Sequence, residues 1–248
     1  MFDIIGRYQA SFFGNLADLG PSPEVSSKLL MLFSDKNLLP STFQEISAYT
    51  PRPQTRLRLS SQNNEWNLNF ATHRLDIEKN ATDPKGQNLG TAEEFAEQAH
   101  EFFTRILTEF KKKGNRISLI TSGLLKEMPE EKLADIYDKL FKPIPFYGDN
   151  PPFEWNTRSV ARKTLEINGI PESINVITNI NRVRGQLMQP DTILEFDRIE
   201  IGFDINTIQE NQETRFSVDA IESFFSGANK IRNQILKDLE VFLDARKI

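Results

Sequence analysis

The chain carries one supersecondary unit twice. An alternating run, His73-Arg74-Leu75-Asp76-Ile77, leads through a polar loop into a helix opening at Thr91, and Asp197-Arg198-Ile199-Glu200-Ile201 leads through another polar loop into a helix opening at Ser217. Each of these helices holds a phenylalanine pair, Phe102-Phe103 and Phe224-Phe225. Two copies of a strand-loop-helix unit in 248 residues restrict the fold to arrangements in which the copies share a sheet or pack helix on helix. They say little about chemistry, because function resides in sites rather than in element order.

The flanking sequence extends the echo. In the first half, Gly6 to Phe13 reads as a strand, and Ser22-Pro23-Glu24 is a helix start with cap, first-turn proline and early acid. Arg56-Leu57-Arg58-Leu59 and Trp66-Asn67-Leu68-Asn69-Phe70 alternate strictly and are joined through Gln62-Asn63-Asn64, which predicts a hairpin, with Leu75 and Ile77 in a third strand. Thr91 with Glu94 forms a capping box, and Phe95, Ala99, Phe102, Phe103, Ile106 and Leu107 make one helical stripe that ends at Lys111-Lys112-Lys113-Gly114.

In the second half, Arg116 to Ile120 reads as a strand, Pro129-Glu130-Glu131 opens a helix, and a proline-rich link at 143–153 precedes extended segments near 154–167, 173–188 and 194–204. The last helix follows from Ser217. The expectation is an α+β fold: a tandem duplication of strand, helix, three strands and long helix, with antiparallel sheet and helices packed on one face. The repeats would be residues 1–115 and 116–248, forming one pseudo-symmetric unit, with 143–153 as a packed linker.

Element order of this kind resembles the duplicated helix-grip plan of the TATA-box-binding protein, a resemblance of architecture that carries no functional residue. The segment Arg198-Ile199-Glu200-Ile201-Gly202-Phe203-Asp204, with the loop and helix after it, is similar to the C-terminal signature of a sporadically distributed bacterial family of uncharacterised proteins. That resemblance implies an accessory, defence-associated setting and imports no activity.

Composition narrows the chemistry. There is no cysteine, which excludes disulfides, thiolate nucleophiles and Cys-bound metals. His73 and His100 stand alone, without the close spacing of a metal site, and there is no Gly-x-Ser-x-Gly elbow or phosphate-binding glycine loop. The acids Asp191, Glu195 and Asp197 lie too close in sequence to span two strands, lack the lysine of metal-dependent nucleases, and read as a turn into a strand. No catalytic residue, metal ligand or cofactor is assigned. The N-terminus has an acid where a signal peptide has bases, and no apolar run reaches the ~20 residues of a membrane span, so a cytoplasmic protein without membrane contact is expected.

Arginines remain. Arg56 and Arg58, Arg158 and Arg162, and Arg182 and Arg184 each fall on a shared strand face, and alternation assigns all six to the side of the sheet away from the helices. Guanidinium forks on an open sheet could bind carboxylate or phosphate. With a net charge of −5 and acids interspersed, a protein partner or self-association ranks above nucleic acid. The leading expectation is a non-enzymatic binding or scaffold protein; a nucleic-acid binder and a metal-dependent hydrolase assembled from scattered acids are the alternatives.

Overall fold

The computed structural model describes residues 1–47, 50–189 and 192–244. Nine strands form one antiparallel sheet: β1 (Ile4–Phe13), β2 (Leu38–Ser47), β3 (Thr50–Ser61), β4 (Trp66–Phe70), β5 (Arg74–Asn80), β6 (Arg116–Leu124), β7 (Trp155–Ile167), β8 (Ile170–Gln189) and β9 (Thr192–Thr207). Their spatial order is β2-β3-β4-β5-β1-β6-β9-β8-β7. The helices are α1 (Pro23–Leu32), α2 (Ala92–Glu109), α3 (Glu130–Leu140), α4 (Pro145–Asp149) and α5 (Val218–Asp244).

Local chemistry sets the ends of these elements. At the start of α2, Thr91 Oγ1 accepts from Glu94 N at 3.1 Å while the Glu94 carboxylate accepts from Thr91 N at 2.8 Å, closing the expected capping box. The β3–β4 hairpin turns through Asn64 in the left-handed region at φ 55°, which asparagine tolerates better than other side chains. Ser22 caps α1 by accepting from Val25 N at 3.2 Å.

Each half of the chain closes on its own first strand: β5 pairs with β1, and β9 pairs with β6. The two first strands then pair with each other, Ser11 opposite Ser118, so one sheet crosses both halves. The first half contributes four strands between its two helices, because Leu38–Ser47 forms an edge strand that the expected three-strand plan omits. This strand is hard to read because Pro40 interrupts it and both of its faces are largely solvated, which leaves no alternation.

The helices cover one face. Tyr8, Ala10 and Phe12 of β1, Leu57 and Leu59 of β3, Leu75 and Ile77 of β5, and Ile205 of β9 lie with Phe95, Phe103 and Phe225 in one buried cluster. The two phenylalanine pairs meet there, with Phe103 and Phe225 ring centroids 6.3 Å apart. A second cluster joins Ile199, Ile201 and Phe203 of β9 to Leu133, Ile136 and Tyr137 of α3, Trp155 of β7 and Leu243 of α5. Fully burying such side chains contributes roughly 1.5–3 kcal/mol each, so these clusters dominate stability.

Candidate functional site

The face opposite the helices carries polar side chains from one edge of the sheet to the other. Following the pairing register across the sheet gives one continuous row: Ser41, Arg58, Asn69, Asp76, Ser11, Ser118, Asn206, Asn175 and Arg162, one residue from each of the nine strands. Alternation explains the placement, since every row residue except Ser41 and Arg162 in the two edge strands neighbours a helix-facing core residue, such as Leu57 beside Arg58 and Ile77 beside Asp76. The row is matched about the β1–β6 seam: Ser11 with Ser118, Asp76 with Asn206, Asn69 with Asn175, Arg58 with Arg162. At ~4.8 Å per strand, Arg58 and Arg162 stand about 34 Å apart.

Hydrogen bonds knit the row. Arg58 Nε donates to Asn69 Oδ1 at 2.6 Å, Ser11 Oγ to Asp76 Oδ1 at 2.6 Å, and Gln9 Nε2 to the same oxygen at 3.1 Å. On the other side of the seam, Ser118 Oγ and Asn206 Nδ2 each donate to Asp204 Oδ1 at 2.9 Å, Asn175 Nδ2 donates to Asn206 Oδ1 at 3.2 Å, and Arg162 Nε donates to Asn175 Oδ1 at 3.3 Å. Asp76 is buried despite facing outward, and desolvation pushes its carboxyl above the usual range against the hydrogen bond from Ser11 and the nearby Arg74 charge. Arg74 Nε lies 2.8 Å from its Oδ2.

The six arginines singled out from the sequence divide. Arg58, Arg158 and Arg162 are on this face; Arg158 and Arg162 flank Val160, which is 49% exposed, and Arg162 is ion-paired with Glu210. Arg56 shares the face by alternation but is not available to a partner. It is buried, and donates from Nη2 to Leu16 O at 2.8 Å, from Nη1 to Ala17 O at 3.1 Å and from Nε to Phe70 O at 3.0 Å, so it pins the 14–20 loop.

Arg182 and Arg184 correct the expectation outright: both lie on the helix side. Arg182 is opposite Ile199 and Trp155, in phase with the core residue Ile180, and its side chain is 2% exposed. It is admitted there because Asp197 and, from α3, Glu130 neutralise it at 2.7 and 2.5 Å. Arg184 joins the same cluster through Asp197 at 2.6 Å.

Two other expectations, the acid cluster near Asp197 and the 143–153 link, can be placed. Asp197 is committed to those arginines, while Asp191 lies outside the described residues. Among the described residues no group of three or more His, Asp or Glu is arranged to hold a metal ion, and no helix is long and apolar enough to cross a membrane. The 143–153 segment is not a packed linker: Ile144, Phe146, Tyr147 and Phe153 are 61%, 64%, 44% and 61% exposed around the short α4.

One feature of the face escaped sequence reasoning. At the end of the sheet where β1 finishes and β5 and β6 begin, a cavity of about 780 Å³ is lined by Phe13, Asn15, His73, Asn115, Arg116 and, from the loop before α5, Gln209, Asn211, Gln212 and Thr214. Arg116 lies over the Phe13 ring at 4.6 Å. Its signal, an arginine directly opposite an aromatic across a strand pair, becomes legible only once β1 and β6 are known to pair. Comparison with protein-family models, curated proteins and solved structures returns no match for the chain.

Proposed function

We propose that this chain is a non-enzymatic binding protein that receives a polypeptide partner on its open sheet face. The observation that carries the reading is the row from Ser41 to Arg162, polar in every one of the nine strands and rich in side chains that both donate and accept. A polypeptide offers the same mixture of N–H and C=O groups. Nucleic acid fits less well, because four of the face's arginines already hold acceptors: Arg7 with Glu78, Arg74 with Asp76, Arg162 with Glu210 and Arg58 with Asn69. A phosphate backbone would have to displace them, and it gains most where cations are unpaired.

The matched residue types about the β1–β6 seam support, within this proposal, an origin of the two halves by duplication. An accessory bacterial setting rests only on the resemblance carried by residues 198–204 and is tested by identifying the proteins encoded beside this one. The binding reading is tested by capture from the source cell with wild type and with Arg58→Glu plus Arg162→Glu, both checked for unchanged thermal unfolding. Expected is a defined protein retained by wild type and lost by the variant. Equal capture by both, or an electrophoretic shift of DNA or RNA that weakens steeply with salt, would overturn it.

A further inference from the structure

Three side chains lining the cavity beside Phe13, those of Arg116, Asn15 and Asn211, carry donors that have no acceptors among the described residues. Arg116 Cζ lies 4.6 Å from the centroid of the Phe13 ring, a cation–π contact that uses its charge and does not satisfy its N–H groups. None of them meets an acceptor among the described residues, and Nε is buried without one. Burial also lowers the pKa of this arginine, Asp204 and Glu210 opposing that effect from a distance and Arg74 reinforcing it. Such a cation is left short of solvation, and an anion would supply what water does not.

Two amides complete the lining. Asn15 Oδ1 accepts from Ala17 N at 3.2 Å, and Asn211 Oδ1 accepts from Glu213 N at 3.0 Å. A backbone N–H can only donate, so these contacts fix which side-chain atom is oxygen and leave each Nδ2 as the donor. Neither Nδ2 has an acceptor among the described residues, and no carboxylate lines the cavity. The walls are held in place: Arg215 donates to Asn115 O at 2.7 Å and grips Glu172 at 2.7 and 3.0 Å, fixing the 209–214 loop against the start of β6.

We infer that this cavity is a binding site for a small molecule bearing an oxyanion, a phosphate monoester or a carboxylate, held by Arg116 with Asn15 and Asn211. A volume of about 780 Å³ lies within the range of small-ligand pockets and exceeds what a bare anion needs. The inference stands apart from the partner reading, since it uses neither Arg58 nor Arg162.

The test is isothermal titration of the full chain with inorganic phosphate, adenosine monophosphate and citrate, with adenosine as the uncharged control. Saturable binding of a phosphate or of citrate is expected, and the arm that responds distinguishes the two sources of oxyanion. Arg116→Gln should weaken that binding by about tenfold or more, the loss of one charge-assisted contact. Gln212→Glu is the second variant: the exposed side chain keeps its acceptor for Asn115 Nδ2, now 3.1 Å away, and adds a negative charge to the lining, so it should weaken binding similarly without touching the sheet. Arg158→Gln should leave binding unchanged. No binding to wild type, binding by both cavity variants as tight as by wild type, or adenosine binding as tightly as its monophosphate would each overturn the inference.

Discussion

Arg182 grips Asp197 with two hydrogen bonds, Nε to Oδ1 at 2.9 Å and Nη2 to Oδ2 at 2.7 Å, inside a layer otherwise made of Ile180, Ile199 and Trp155. Removing one member of such a pair strands a buried charge, which is where the large penalties arise. With Glu130 still present, Asp197→Ala should cost about 2–3 kcal/mol, read by urea unfolding. Replacing Arg182 and Asp197 together by Met and Leu should cost less than the two single changes summed.

The same pair sets an acid limit. Arg182, and then Arg184, hold the Asp197 carboxyl below the usual range. A carboxylate with a depressed folded pKa contributes stability that is fully present above its unfolded pKa and is lost as pH falls through the folded one. Wild-type stability should therefore drop on acidification below the ordinary carboxylate range, and Asp197→Asn should flatten that part of the profile in denaturant midpoints taken across pH.

Asp76 should behave with the opposite sign. Its carboxyl is raised by burial, so the folded state keeps the proton in a window where the unfolded chain has lost it, and stability falls as pH rises through that window. Carboxyl-carbon NMR should show one aspartate titrating above the others, and Asp76→Asn should remove that resonance's titration.

Arg56 is a structural clamp. Its bonds to Leu16 O, Ala17 O and Phe70 O satisfy carbonyls that would otherwise be orphaned beside a side chain only 6% exposed. Arg56→Ala should cost about 3 kcal/mol and raise amide exchange selectively in residues 14–20, whereas Arg58→Ala should change stability by under about 1 kcal/mol.

Gly114 sits where the end of β1 meets the 208–216 loop through its bridge to Phe216. A Cβ there would stand 2.5 Å from both the Phe12 ring and Phe13 O, and neither can retreat, because Phe12 is fully buried. Gly114→Ala should destabilise by about 1–3 kcal/mol in thermal or denaturant unfolding.

These residues show what was legible locally. Alternation placed Arg58 and Arg162 correctly, because Leu57 and Leu59 on either side of Arg58 are core, and Arg162 pairs with Asn175, whose neighbours Ile174 and Val176 are core. It misplaced Arg182 and Arg184 because Val183, beside them, is apolar yet only partly buried, while Ile180 in their own phase is core. The decisive fact was Glu130 on α3 and Asp197 on β9, groups distant in sequence that make a buried guanidinium tolerable. No local pattern encodes that compensation.

By itself the sequence determined the elements and most of their inward faces: the α2 capping box and stripe, the β3–β4 hairpin, the phenylalanine pairs that meet as Phe103 and Phe225. Those depend on backbone donors and apolar periodicity within a few residues, which a linear reading sees. The tertiary structure alone decided the strand order, the solvated edge strand β2, the polar row from Ser41 to Arg162 and the unpaired donors around Arg116. Each of these depends on which side chain stands opposite which across strands far apart in the chain, and long-range register is set by the packing of the whole core.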